Sequence, residues 1–403
     1  MIMVNSLTAF NPEYWAKEMQ RIRFKENVAI ALANTEYRNE LKDGDTLNKP
    51  YRTTPKVQTY TKDTAITASD LSSTNEYLSV DTAKVVAFYV DDIDRIQNKW
   101  DAAKVWAADS QRLLNNVLDQ AIVAEYSNAG SYVDEGDIGG TAGTYITLST
   151  SNVQDIFAAA ARKLDGLQRP VAGRFALIGP RILERLRLYI AGKDTSVADI
   201  VGDNGKVGSR FGFEFFFSNN LPFTATLSMA TQVTEGDTVT IAGVKFTFNA
   251  TPSGEGSVDI GGDVDVSRAN LTAAVNDSGT VGTTYIQLAA KDRRRLILGG
   301  IAATNNDTAN TMAITGYGDI STAETFTDVT DCWTASTVKS HALFGVKGAT
   351  DLVVQKSPNI EFRLAEKKLG RFVYPWMLFG KKTFAEYTDD LVDVRIKASG
   401  WTN

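Results

Sequence analysis

Apolar residues recur at two different spacings along this chain, and the switches between them divide it into segments. From Asp91 to Asn128, Ile93, Ile96, Trp100, Ala103, Ala107, Leu114, Val117, Ala121 and Ala124 fall mostly three or four apart with no Pro or Gly between them, which predicts one long helix. Asp91, Asp92 and Asp94 would sit in its first turn, where the helix dipole favours anions, and Gly130 follows its end. At about 1.5 Å per residue this helix would reach on the order of 50 Å.

Upstream the spacing shortens. Lys56–Thr67 (KVQTYTKDTAIT) and Glu76–Val90 (EYLSVDTAKVVAFYV) are rich in Thr and β-branched residues, and polar, turn-prone ASDLSSTN separates them. They predict a long two-stranded ribbon, which is marginal in water without a partner surface. Before it, Asn11 with Pro12 at a first helical position opens a helical pattern carried by Tyr14, Trp15, Met19, Ile22, Val28, Ile30 and Leu32. Such apolar content near a chain end implies an arm clamped onto another surface, a neighbouring copy being one candidate.

Downstream, helices and strands alternate. Ser151–Gln168 reads as a helix capped by Ser151 or Asn152, Arg174–Gly179 as a strand, Pro180–Ile190 as a helix opened by its proline, and Gly212–Ser218 (GFEFFFS) as a strand. At Thr224 the character changes. Residues 224–340 hold 22 Thr with frequent Gly, predicting a small unit of short strands with one helix near Arg268–Asn276. After about Lys339 strand-like runs resume at Leu352–Gln355, Asn359–Leu364, Phe372–Phe379 and Leu391–Lys397, so the 224–340 segment reads as an insertion.

Charge sharpens that division. The formal net charge is -6, and residues 224–340 carry 7 Lys and Arg against 13 Asp and Glu, so the whole excess lies there. No clustered basic patch of the kind that binds duplex DNA is visible. No apolar run is long enough for a membrane span, and MIMVNSLTAFNPEYWAKEM has neither the basic start nor the apolar stretch of a secretion signal. With 403 residues, more than one folding unit is expected.

Chemistry is scarce. Cys332 and His341 are the only residues of their kinds, which removes intrachain disulfides, Cys/His metal clusters and most nucleophilic arrangements, and both read as packing or surface positions in the connector between them. Gly202–Arg210 (GDNGKVGSR) has Val207 where a phosphate loop needs Ser or Thr, and reads as a surface turn. Asp259, Asp263 and Asp265, like Asp134, Glu135 and Asp137, lack calcium-loop spacing and read as solvated acidic loops. Arg181, Arg185 and Arg187 read as an ion-paired helix face, and Arg293, Arg294 and Arg295 as a contact to an acidic neighbour. No catalytic, cofactor-binding or metal-binding residue is assigned, and no cofactor is expected.

The order of elements resembles the Hong Kong 97-type capsid subunit of tailed bacteriophages. The resemblance rests on the extended stretch Lys56–Val90, the helix Asp91–Asn128, RFALIGPRILERL (Arg174–Leu186), GFEFFFSNNLP (Gly212–Pro222) and KKTFAEYTDDLVDVRIKA (Lys381–Ala398). Thr224–Phe248, with its run Gly236-Asp237 to Ala242-Gly243-Val244-Lys245-Phe246, is similar to the start of the insertion in short-tailed phage coat proteins. The resemblance implies an α+β capsid fold: N-terminal arm 1–44, extended loop 45–90, spine helix and peripheral domain 91–150, axial domain 151–223, β-rich insertion domain 224–340, and axial and peripheral completion 341–403. It further implies a non-enzymatic subunit of an icosahedral virion shell, assembled in the host cytoplasm from pentamers and hexamers of itself. Implied partners are a separate scaffolding protein, a portal, packaged double-stranded DNA on the inner face and room for a decoration protein, with no membrane. In some members a Lys of the extended loop bonds covalently to an Asn of a neighbour. Lys56 and Lys62 lie in that region, but the partner and the assisting carboxylate have no match, so no crosslink is expected. Other readings are an encapsulin-like compartment shell, and a phage tail or baseplate structural protein.

Overall fold

The computed structural model describes residues 23–38, 41, 44–97, 102–193, 209–318, 321–328, 332–333, 338–366 and 368–397. Its centre is a nine-stranded mixed sheet ordered Ala302–Asn306, Thr311–Tyr317, Pro222–Ser228, Lys339–Val346, Leu391–Lys397 and Ser131–Val133. Arg174–Ile178 also pairs with Lys339–Val346 and carries Glu214–Phe217 on its other side, while Ile146–Thr147 pairs with Leu391–Lys397.

The predicted long helix is found as α1 (Asp92–Gln97) and α2 (Ala102–Val123), with residues 98–101 outside the described ones. α2 buries Leu114, Leu118 and Ile122 and then tightens into a 3-10 turn, Ala124–Asn128. The chain turns at Gly130, whose N–H donates to the Thr388 carbonyl at 2.7 Å. A Cβ there would lie 3.0 Å from the Thr388 carbonyl carbon and 3.1 Å from Asp389 Cα, so this close backbone approach favours glycine.

α3 (Val153–Gly166) and α4 (Pro180–Ala191) pack on the central sheet around Phe157, which stacks on Phe344 at 5.3 Å and on Phe211 at 5.4 Å. Pro180 opens α4 as expected, since its fixed φ suits the first turn and its missing N–H is not needed there. Asn152 stands at the α3 N-cap position, yet its side chain takes the Ser149 N–H at 2.8 Å instead of a helix donor.

The ribbon differs from expectation. Its first strand is Thr46–Arg52, paired antiparallel with Ser73–Ser79 from Thr46 opposite Ser79 to Arg52 opposite Ser73. Lys56–Thr67 is not a strand, because its β-branched residues have nothing among the described residues to pack against, and strand preference is largely packing preference. Glu76–Val90 is not one strand either. It breaks into the end of Ser73–Ser79, then Thr82–Val85 against Trp376–Lys382, and Phe88–Asp91 against Gly370–Val373. Two small three-stranded sheets result, completed by Asp351–Asn359 and Phe362–Leu364.

In the arm, residues 23–28 are not helical and Ala29–Leu32 forms a single 3-10 turn, while Asn11, Pro12 and the rest of the predicted helix start lie outside the described residues. Ala29 and Leu32 are buried in this subunit's own core, so this part of the arm is clamped on its own chain.

A second core gathers Phe246, Phe248, Val239, Ile241, Leu271, Met312 and Ile314 between residues 223 and 338. It holds a four-stranded sheet (Ser257–Asp259, Val244–Asn249, Thr238–Ile241, Thr322–Glu324) and two helices, α5 (Val264–Asn276) and α6 (Ala290–Gly299), where one was expected. α6 escapes the periodicity test because its sequence AKDRRRLILG buries only Leu296 and Gly299. Pro222–Ser228, Thr311–Tyr317 and Ala302–Asn306 serve this core while remaining strands of the central sheet.

Candidate assembly surfaces and a buried polar junction

Most of the described residues singled out in the sequence have structural partners. His341 is not in a connector; it lies in the strand Lys339–Val346, buried, with Nδ1 2.9 Å from Asp393 Oδ1 and its ring stacked at 4.1 Å on Tyr126. Arg395 Nε holds the other Asp393 oxygen at 3.0 Å. Cys332 is half-buried. Asp263 caps α5 by accepting from Val266 N–H at 2.9 Å, Asp265 pairs with Arg268, and Asp259 accepts from Asn270. Asp134 and Asp137 form a reciprocal cap on the 3-10 turn Glu135–Ile138, and Asp137 also binds Arg162 at 2.8 Å and Lys163 at 2.7 Å. Those two cations and the backbone N–H of Asp134 outweigh the effect of burial and hold the Asp137 carboxyl below its ordinary value. Arg293 binds Asp277 and Arg295 donates to the Gly243 carbonyl at 2.7 Å, so two of the three arginines expected to face a neighbour are used internally. Arg181, Arg185 and Arg187 all have partners. Residues 202–208 of the glycine-rich turn lie outside the described residues. Among the described residues no group of three or more His, Cys, Asp or Glu could hold a metal ion, and no helix is long and apolar enough to cross a membrane.

What the sequence concealed is a buried polar stripe on α2. Asn116, Asp119 and Gln120 share one face and all are buried, Asp119 completely. Asp119 Oδ1 accepts the Ala29 N–H at 2.7 Å, with the Val28 and Ile30 N–H groups also directed at the carboxylate. It thereby caps the 3-10 turn Ala29–Leu32 from outside, supplying the acceptor that the first N–H groups of any such turn lack. Asp119 Oδ2 accepts from Asn220 Nδ2 at 2.8 Å, and the same Nδ2 reaches Asn116 Oδ1 at 2.9 Å. Asn116 and Gln120 both donate to the Leu298 carbonyl of α6, at 3.1 and 3.0 Å. Lys25 Nζ donates to the Tyr317 carbonyl at 3.0 Å. Burial pushes the Asp119 carboxyl up despite these hydrogen bonds, and pushes the Lys25 ammonium down to about 8 against the pull of the Asp119 charge. In LLNNVLDQAIV the stripe looks like a solvated helix face, and only its flanking by apolar residues on nearly all sides hints otherwise.

A second buried carboxylate, Glu125, joins the end of α2 to the outer sheets. It binds Lys381 Nζ at 2.7 Å and accepts from Asn128 at 2.8 Å and Thr383 at 2.9 Å. Burial alone would raise its carboxyl, but the lysine charge and these donors win and hold it below the usual value.

The surface is unusually apolar in two places. Residues 53–72 leave Val57, Tyr60, Ile66 and Leu71 in solvent at 63–102% exposure. Around α1 and the strand Phe362–Leu364, Ile93, Ile96, Phe362, Leu364 and Leu369 are each at least 49% exposed. Grouped apolar side chains of this kind mark surfaces that meet a partner.

Solved phage structures share this architecture over nearly the whole chain. The protein is similar to the structure titled Mycobacterium phage Che8 at 14% identity with a TM-score of 0.59, covering 96% of this chain and 98% of that one. It is similar to the capsid structure of the cyanophage P-SCSP1u at 14% identity and a TM-score of 0.53, covering 98% and 96%. The head structure of Helicobacter pylori bacteriophage KHP40 matches at 10% identity and a TM-score of 0.50, covering 98% of each. No protein-family model and no curated protein matches the sequence. The chain therefore has the α+β fold of phage capsid subunits.

Proposed function

We propose that this protein is the major capsid protein of a tailed bacteriophage and acts as a non-catalytic tile that assembles with copies of itself into an icosahedral shell. The observation that carries the reading is the end-to-end correspondence with phage capsid and head folds. The bare apolar surfaces support it physically: a loop of twenty residues held out in water, and an uncovered outer sheet, are costly in a monomer and useful in a closed assembly where neighbours bury them. Residues 45–90 act as the extended loop, whose exposed tip, 53–72, lies over the next subunit. Residues 224–340, with 13 acidic against 7 basic residues, form the insertion and face outward, away from the packaged double-stranded DNA. A separate scaffolding protein and a portal complete the assembly in the host cytoplasm.

Negative-stain electron microscopy of the purified chain, expressed alone and with its neighbouring genes, tests this. Closed shells or polyheads of uniform curvature are expected; a monodisperse monomer in both conditions would overturn the reading.

A further inference from the structure

The buried stripe on α2 is the meeting point of two parts of the chain that sequence holds nearly two hundred residues apart. One is the N-terminal segment, whose 3-10 turn Ala29–Leu32 ends on Asp119 Oδ1. The other is the base of the second core: Asn220, two residues before the strand Pro222–Ser228, ends on Asp119 Oδ2, and the Leu298 carbonyl of α6 ends on Asn116 and Gln120. Lys25 spans the same gap by donating to the carbonyl of Tyr317, which pairs with Pro222 across the sheet.

We propose that Asp119 is a shared latch, making the seating of the second core on α2 conditional on docking of the N-terminal segment, and the reverse.

Asp119 is fully buried, so its carboxylate is tolerable only while donors surround it. Lifting the N-terminal segment removes the N–H groups of residues 28–30 together with the Lys25 charge, and leaves Asn220 Nδ2 as the remaining donor held to it at hydrogen-bond distance. Asn220 cannot compensate, because it too is fully buried and its Nδ2 already donates to both Asp119 Oδ2 and Asn116 Oδ1. Water must then enter the junction, and the bonds at Asn220 and Leu298 that seat the second core open with it. The same account runs backward: displacing Asn220 leaves Asp119 short of a donor and weakens its hold on Ala29. Such coupling is a free energy between two sites and is reciprocal.

This latch belongs to the single subunit and does not depend on the shell reading. Hydrogen exchange read by mass spectrometry on the full chain tests it with three substitutions. Leu32→Ala undocks the segment through the apolar core without touching Asp119, Asn220→Ala disturbs the base of the second core, and Asp119→Ala removes the latch. Leu32→Ala is expected to raise exchange at least fivefold in 222–228 and 311–317 as well as in 29–34. Asn220→Ala is expected to raise it at least fivefold in 29–34, with 153–166 unchanged in both. In the Asp119→Ala background the second substitution should no longer transmit, since the coupled pair has lost its common partner. If Leu32→Ala does not fold, the milder Leu32→Val replaces it with the same expected direction. Exchange that rises only around the substituted site, or transmission that persists without Asp119, would overturn the latch.

Discussion

Arg268 offers the sharpest test of how the second core is held. Its side chain is fully buried in α5, and its guanidinium serves four acceptors: the Met229 carbonyl at 2.6 Å, Asn305 Oδ1 at 2.9 Å, Asp307 Oδ1 at 2.9 Å, and Asp265. Arg268→Met keeps much of the stem's volume and deletes the fork. Asp265 and Asp307 are 55% and 60% exposed in their side chains and return to water at little cost. The Met229 carbonyl and Asn305 lose a charged donor, and an unsatisfied buried acceptor costs about 1–3 kcal/mol. The expected total is about 2–4 kcal/mol, a large share of a domain's stability. Arg268→Lys should recover little of it, because an ammonium cannot reproduce a planar fork. Urea unfolding followed by fluorescence, with limited proteolysis locating the cleavage, measures the loss; Trp333 packs against this core and reports on it. Cleavage should begin within 224–340 at lower urea while 153–191 stays resistant. A loss below about 0.5 kcal/mol would refute the hydrogen-bond reasoning and leave Arg268 as packing alone.

Glu125 sits below its ordinary carboxyl value when folded, so its contribution is full above the unfolded value of 4.5 and disappears as pH falls through the folded one. Thermal melts of Glu125→Gln between pH 3 and 6 should therefore show a shallower loss with acid than the parent, and parallel curves would exclude the effect. Lys25 shifts stability in the same direction with pH, through relief of a burial cost instead of gain of a contact. Its folded value of about 8 lies below the unfolded 10.5, so docking of the N-terminal segment should strengthen as pH rises from about 8 toward 10.5, by at most about 3 kcal/mol. Resistance of residues 23–38 to proteolysis at pH 7.5 and 9.5 checks this, and Lys25→Met should erase the difference. Replacing residues 53–72 by an Asn-Gly turn joins Arg52 to Ser73 at a position where the strands already pair. The melting temperature should change by no more than about 2 °C, since the removed residues are almost wholly exposed, while electron microscopy should show no shells. Normal shells would remove the loop from assembly.

Elements governed by local rules were legible in the sequence. Pro180 marks the start of α4, and the strands at Arg174–Ile178 and Leu391–Lys397 follow their apolar runs. Where the outcome depends on distant partners, the sequence misleads. Thr and Val in Lys56–Thr67 favour a strand only if a second surface is present, and the described residues of the subunit offer none. Asn116, Asp119 and Gln120 look solvated because nothing nearby in sequence announces Ala29, Asn220 and Leu298 as their partners. The acidic residues of 259–265 and 134–137 read as solvated loops, and their work as caps is visible only once α5 and the 3-10 turn are in place.

The strands that run from the central sheet into the second core have a bearing on engineering. Thr224 and Phe223 pair with Lys339 and Ser340, so that region is bolted on through a continuous sheet instead of hanging from a flexible tether. Excising it at its boundaries would strip the flank of Lys339–Val346 and bare a ladder of unpaired backbone groups, an invitation to aggregation. Foreign peptides displayed on this protein therefore belong in turns such as Thr251–Gly254, where the chain is largely open to solvent and no sheet partner is lost.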